Sequence, residues 1–377
     1  MQQLISFASR GRIGLVHPDG CDLRWLSFDI SNQVNWQLGP AFADGDRFIV
    51  TSYEEGKSWE HQVNTHMWVY SFRQQTLDEI ATHNKLAPLV VCAGLLPGEQ
   101  RMIAQPVIDH EQRAFTMNLD GAEQVELTAR GEGFVYGVSL SPDGTRIAYH
   151  ITGPDELPYR IRVMDVNGAN KVTVAQHADH LYFAPTWSPD GRWLLYVDCL
   201  FKTDPGHDWA DLCLGKPEGS AHHVITAGQR QWFGTSYGTP QTRGGGSDVP
   251  QWSPQGYNLA WTRGVAGSRT AWPFQPQRPD TDHFNRDYVP EEARGGTQVV
   301  LMNPFTGKQT ELTPFEENVW SFRPRWSADG TQLAFTRARI GEASEIWVMN
   351  ADGSNAHLVA RGYDDLGADH ARWVTLS

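Results

Sequence analysis

Short runs in which apolar and polar residues alternate recur along the chain, each entered through a tight turn. Arg192-Trp193-Leu194-Leu195-Tyr196-Val197 is one of them, and it follows Thr186-Trp-Ser-Pro-Asp-Gly191. The same turn returns as Val138-Ser-Leu-Ser-Pro-Asp-Gly144, Gln251-Trp-Ser-Pro-Gln-Gly256 and Arg325-Trp-Ser-Ala-Asp-Gly330. Proline and the following Asp-Gly supply turn geometry, so each copy predicts a strand, a turn and a returning strand. Two degenerate copies stand upstream, Pro40-Ala-Phe42-Ala-Asp-Gly45 and Val91-Cys92-Ala-Gly-Leu-Leu-Pro97-Gly98. A second hairpin lies between copies, as in Ile346-Trp-Val-Met-Asn-Ala-Asp-Gly353-Ser-Asn-Ala-His-Leu-Val-Ala, which makes four strands per unit.

Anchors at Phe42, Cys92, Leu140, Trp187, Trp252 and Trp326 are spaced by 50, 48, 47, 65 and 74 residues, and the next falls 47 later at Trp373. One strand remains there, whereas the N-terminus starts with three strands (4–9, 12–16 and 22–27) and no leading motif. Joining them predicts an all-β, seven-bladed β-propeller with four-stranded blades, in which N- and C-terminal strands share one blade; radial repetition protects the sheet edges. One domain over residues 1–377 is expected, with loop insertions at about 200–247 and 264–297.

The Trp-Ser-Pro-Asp-Gly and Asn-Ala-Asp-Gly-Ser-Asn turns resemble the TolB-type propeller repeat over nearly the whole chain. That repeat serves scaffolds, peptidases and polysaccharide lyases, so it implies architecture and leaves chemistry to the loops.

Composition narrows the partners. The chain carries 31 Lys and Arg against 44 Asp and Glu, a net charge of −13, which disfavours nucleic acid or an anionic membrane surface as the partner. The first residues show no basic then apolar leader, and no run of about 18 apolar residues occurs, so a soluble cytoplasmic protein is expected. Cys21, Cys92, Cys199 and Cys213 are too scattered for a disulfide framework and read as reduced thiols.

The Ser-Pro-Asp-Gly turns mark one face of the propeller. Nine of 14 histidines (His61, His66, His110, His150, His177, His180, His207, His283 and His370) fall in or beside loops of the other face, which also holds both insertions. Long loops on a rigid scaffold often carry function. The insertions combine His, Arg, Asp and aromatic residues, a set suited to a polar acidic sugar: rings to stack, guanidinium forks for a carboxylate, and His or Asp for proton transfer. His207 beside Asp208 is the candidate base, with Arg230 in the catalytic group. Trp209, Trp232, Tyr237, Arg269, Arg278 and Arg286 are candidates for holding substrate. His150, His180, His283 and His370 are candidate ligands of a divalent metal or acid–base groups. Each has a plainer reading as a loop-capping histidine, a salt-bridged arginine or a solvated acid, and the Asp280/Asp282 and Asp208/Asp211 pairs suit solvated loop acids better than two-carboxylate hydrolysis. Gly234-Thr-Ser-Tyr-Gly238 has the Gly-x-Ser-x-Gly spacing but falls within a loop insertion, and no second α/β domain is expected that would carry a nucleophile elbow for a prolyl-peptidase type of chemistry.

The propeller with these loops resembles the oligogalacturonate lyase family, cytoplasmic seven-bladed enzymes that cleave short uronate oligosaccharides by β-elimination. The resemblance implies manganese as the metal, an arginine or the metal ion neutralising the uronate carboxylate, and a base removing the adjacent C5 proton. It also implies a small acidic oligosaccharide as partner and no organic cofactor. Rival expectations are a glycoside hydrolase or sugar isomerase on the same face, and a non-catalytic TolB-like interaction scaffold.

Overall fold

In three of the four repeated turns a serine hydroxyl bonded to an aspartate is the organising group. Ser141, Ser188 and Ser327 donate from Oγ to the aspartate two residues on (Asp143, Asp190 and Asp329; 2.6, 2.7 and 2.6 Å), and each hydroxyl accepts the backbone N–H of the residue five on (2.9–3.0 Å). The glycines that close these turns, Gly144, Gly191 and Gly330, have φ of 70°, 68° and 68°, the left-handed region that glycine enters without steric cost. The tryptophan of the repeat ties sheets together. Trp187, Trp252, Trp326 and Trp373 each donate from the indole N–H to a carbonyl on the end strand of the preceding sheet: Ser139, Thr186, Gln251 and Arg325, at 3.0, 3.4, 3.3 and 2.8 Å.

The computed structural model describes residues 2–56, 65–80, 92–108, 111–152, 159–200, 210–226, 236–237, 244–245, 249–270 and 289–377. They are almost entirely β. The first sheet joins Gln2–Ser9, Arg12–Val16 and Arg24–Leu26 to Asp369–Leu376, which pairs antiparallel with Gln2–Ser9 as expected for a blade shared by the two ends of the chain. Four-stranded groups follow over 33–79, 92–126, 135–175, 180–224, 251–311 and 319–360; the last two are linked by one parallel bridge, Thr297 to Trp320.

Alternating residues of each sheet bury against its neighbours, and this produces cores between sheets instead of one centre. Tyr182, Tyr196 and Cys213 meet Ala148, Ile161 and Val163 between the fourth and fifth sheets; Trp261 and Met302 meet Phe183 and Val197 between the fifth and sixth. Ile5 and Phe7 meet Ala334 and Ile346 between the first and seventh, and Ile13 meets Trp36 and Trp68 between the first and second. The end strands Gln33–Ala41, Cys92–Leu95, Val135–Leu140, His180–Trp187, Gln251–Trp252, Val319–Trp326 and Asp369–Leu376 lie side by side in that order.

Entry to the fourth sheet turns on Gly133, whose φ is 123° and whose added Cβ would lie 1.5 Å from the Thr152 carbonyl oxygen. Gly133→Ala therefore has both a strained backbone and a clash to relieve, and is expected to cost more than about 3 kcal/mol. An unchanged midpoint in thermal unfolding would contradict this.

Candidate functional site

The end strands share an irregularity that re-aims their side chains. Asn35, Gly137, Ala184, Arg323 and His370 all have φ between 53° and 57°, and each sits in or beside a register shift of its strand against its neighbour. These are bulges repeated at one height, a feature that often marks functional surface. Two bulges are supported directly by the preceding sheet and a third through Asp369 of its own strand. The Ala184 N–H donates to His150 Nδ1 (3.3 Å), and the Arg323 N–H donates to Thr262 Oγ1 (3.2 Å). The His370 N–H donates to Asp369 Oδ1 (2.6 Å), which also accepts from Thr336 Oγ1 (2.9 Å).

At the bulges of the seventh and first sheets the side chains are charged. Arg323 and Asp369, 7% and 8% exposed, form a hydrogen-bonded ion pair between the two end strands. Arg325 and Arg372 stand two residues beyond Arg323 and His370, and Arg372 Nη1 reaches the Leu38 carbonyl on the end strand of the second sheet (3.0 Å). The His370 side chain is 60% exposed to solvent. Asp369 draws its imidazole toward protonation, but partial desolvation and the guanidiniums of Arg323, Arg325 and Arg372 outweigh that and hold it down to about 4, so the ring is neutral near pH 7. A cationic wall beside a neutral imidazole can hold a carboxylate and accept a proton next to it.

The histidines expected to share a metal occupy three separate environments. His150 is 6% exposed, stacked on Tyr136 (5.6 Å between centroids) and edge-on to Tyr159 (5.3 Å). Burial pushes its ring down to about 3, so it is a neutral bracket for the Ala184 bulge. Gly137 makes room for that ring, since an added Cβ would meet His150 Nδ1 at 2.4 Å. His180 Nδ1 lies 2.7 Å from Asp198 Oδ1, with the His177 ring edge-on at 4.7 Å. His370 is the histidine at the charged bulges, and His283 lies outside the described residues.

Most loop candidates also lie outside them: His207, Asp208, Trp209, Arg230, Trp232, Arg278 and Arg286, together with Asp280 and Asp282. Tyr237 is described only as backbone, in the strand Ser236–Tyr237. Arg269 has the plainer role of a loop anchor, because its backbone bridges Arg294 and its guanidinium faces Glu292 at 3.4 Å. His66 is paired with Glu79 (2.6 Å) and Glu54 (3.5 Å), and buried Asp211 accepts from Thr226 (2.7 Å). Among the described residues Cys21, Cys199 and Cys213 take part in no disulfide. Arg323, Asp369 and Arg372 carry no loop or motif signal in the sequence, Arg325 is marked only as the residue that opens a repeated turn, and the bulges bring the four together.

These features define a TolB-like β-propeller with a basic, bulge-lined end-strand surface. No protein-family model matches the chain. In sequence it is similar to the Tol-Pal system protein TolB of Shigella flexneri, 44% identical over 54 residues (14% of this chain, 12% of that protein). It is likewise similar to TolB of Alcanivorax borkumensis, 30% identical over 108 residues (29% and 20%), so the matches span about an eighth to a fifth of those relatives' length. In structure it is similar to an oligogalacturonate lyase in complex with manganese, with TM-score 0.55 and 13% identity over 95% of this chain and 85% of that one. It also matches puromycin hydrolase, with TM-score 0.63 and 14% identity over 95% of this chain and 52% of that one. Among the described residues no helix is long and apolar enough to cross a membrane.

Proposed function

We propose that this chain is a cytoplasmic carbohydrate-active lyase that cleaves short uronate-containing oligosaccharides by β-elimination, on a single closed seven-bladed propeller. The ring reading is supported by cores shared between successive sheets and between the seventh and first. The lyase reading is carried by one observation: a chain of net charge −13 concentrates Arg323, Arg325 and Arg372 beside a neutral imidazole, His370, at the end-strand bulges. The fold likeness to oligogalacturonate lyase agrees with it.

In this reading Arg325 and Arg372 hold the uronate carboxylate and stabilise negative charge developing on it when C5 loses its proton. The base takes that proton, the C4–O bond breaks, a C4–C5 double bond forms, and the departing glycosidic oxygen is protonated. His370 is the candidate base among the described residues, a weak one with its ring held so low, while His207, flanked by Asp208 and Trp209, is the candidate from the insertion. The described histidines do not fit one metal-ligand set, since His150 spends its Nδ1 lone pair on the Ala184 N–H and His180 faces Asp198. No step is therefore assigned to manganese.

The test is ultraviolet absorbance of purified protein with a panel of uronate oligosaccharides, with manganese supplied and then chelated. Growth of an unsaturated-uronate chromophore is expected, and Arg372→Gln should lower kcat/KM about 100-fold. Comparing His370→Ala with His207→Ala identifies the base. A silent panel with new reducing ends would favour a hydrolase, and a silent panel without them a TolB-like scaffold, the reading favoured by the two TolB sequence matches.

A further inference from the structure

The fifth sheet carries a second group of reactive side chains, distinct from the bulge surface. Its register pairs Tyr196 with Cys213, Asp198 with Asp211, and Gly215 with His222, so Asp198, Cys213 and His222 come from three successive strands onto one face. That face packs on the fourth sheet, with Tyr196 and Cys213 in the shared core. One ligand atom from each of Asp198, Cys213 and His222 lies within 4.8 Å of the others; the first two residues are buried and His222 is at the surface. Asp198 divides its oxygens, with Oδ1 2.7 Å from His180 Nδ1 and Oδ2 4.0 Å from Cys213 Sγ. The Tyr196 hydroxyl lies 2.7 Å from His222 Nδ1. Gly215 permits that reach, because a Cβ there would lie 2.9 Å from the Tyr196 hydroxyl oxygen and from Val174.

We propose that Asp198, Cys213 and His222 form a binding site for a thiophilic divalent cation of the zinc class, with His180 and Tyr196 as positioning residues. Thiolate, imidazole and carboxylate together are the donor set of such ions, and three protein ligands leave a fourth position for water. His180 holds the carboxylate by its other oxygen. If His222 donates Nδ1–H to Tyr196, its Nε2 lone pair is left for the ion, the usual outer-sphere arrangement of a ligating histidine. Binding releases the Cys213 thiol proton to solvent, and thiolate and carboxylate then balance the two positive charges. The ion would clip the short outer strand His222–Val224 to the two strands inside it.

The experiment is Co2+ titration of the full-length Cys21→Ser protein. That background is needed because exposed Cys21 lies near His17 and Asp19 in another cluster of ligand atoms. A sulfur-to-cobalt charge-transfer band saturating at one equivalent and displaced by Zn2+ is expected. Adding Cys213→Ser abolishes it, and adding surface-exposed His222→Gln, which leaves the core intact, weakens Co2+ binding at least 10-fold. Tyr196→Phe weakens binding roughly 10-fold while keeping the band. Absence of a band in the folded Cys21→Ser protein, a band surviving Cys213→Ser, or undiminished affinity in folded His222→Gln would overturn the proposal.

Discussion

Asp369→Ala lowers the free energy of unfolding by roughly 3–5 kcal/mol, the cost of breaking a buried ion pair from one side. The carboxylate bridges two sheets through the Arg323 guanidinium, accepts the Thr336 hydroxyl at 2.9 Å, and holds the His370 N–H at 2.6 Å. Its removal leaves a buried guanidinium without this counter-charge and frees the bulge that aims His370. Replacing both partners with apolar residues, Arg323→Met with Asp369→Leu, recovers most of the stability, because the desolvation of two charges disappears with their attraction. Urea unfolding followed by tryptophan fluorescence measures both. A loss below about 1 kcal/mol in Asp369→Ala would mean that the pair does not join the sheets. In the lyase reading, activity is lost in the single variant and does not return in the double one.

Acid should act most strongly through His150. Its ring is held neutral, at about 3 in the fold against 6.5 when unfolded, so the unfolded chain binds a proton that the folded chain refuses. Stability is full above pH 6.5 and falls as pH drops toward 3, at about 1.4 kcal/mol per pH unit and by about 4 kcal/mol across the window. His150→Asn keeps an acceptor for the Ala184 N–H and removes the titration. The expected result is a shallower dependence of unfolding free energy on pH between 6.5 and 3, whatever the variant's stability at neutral pH. Parallel curves for the two proteins would show that His150 is not the group being charged.

The strand and turn order was legible because its determinants are local. Ser-Pro-Asp-Gly sets its own hydrogen bonds within six residues, and the spacing of its copies matches the sheets observed. The pairing of the two ends of the chain was legible from the counting of strands alone. The bulges were not, because Asn35, Gly137, Ala184, Arg323 and His370 have no residue type in common and their left-handed backbone is imposed by neighbouring sheets. One signal did exist: His150, Thr262 and Thr336 each stand six residues after a turn glycine (Gly144, Gly256 and Gly330) and brace a bulge directly or through Asp369. Alignment on those glycines would have separated His150 from the loop histidines. The Asp198, Cys213 and His222 group has no such mark, since each looks like an ordinary strand residue until register places them together.

Ser6 and Arg372, which face each other across the first sheet, are 366 positions apart. During synthesis the hairpin of Gln2–Ser9 and Arg12–Val16 therefore emerges with an open edge and waits for its partner until Asp369–Leu376 has been made. Every other sheet has its strands within one stretch of chain. Order in time is thus opposite to order in space: of the sheets described, the one begun first is completed last, and a ribosome that stalls before Asp369–Leu376 is made releases a chain whose first sheet is still able to pair with a stranger.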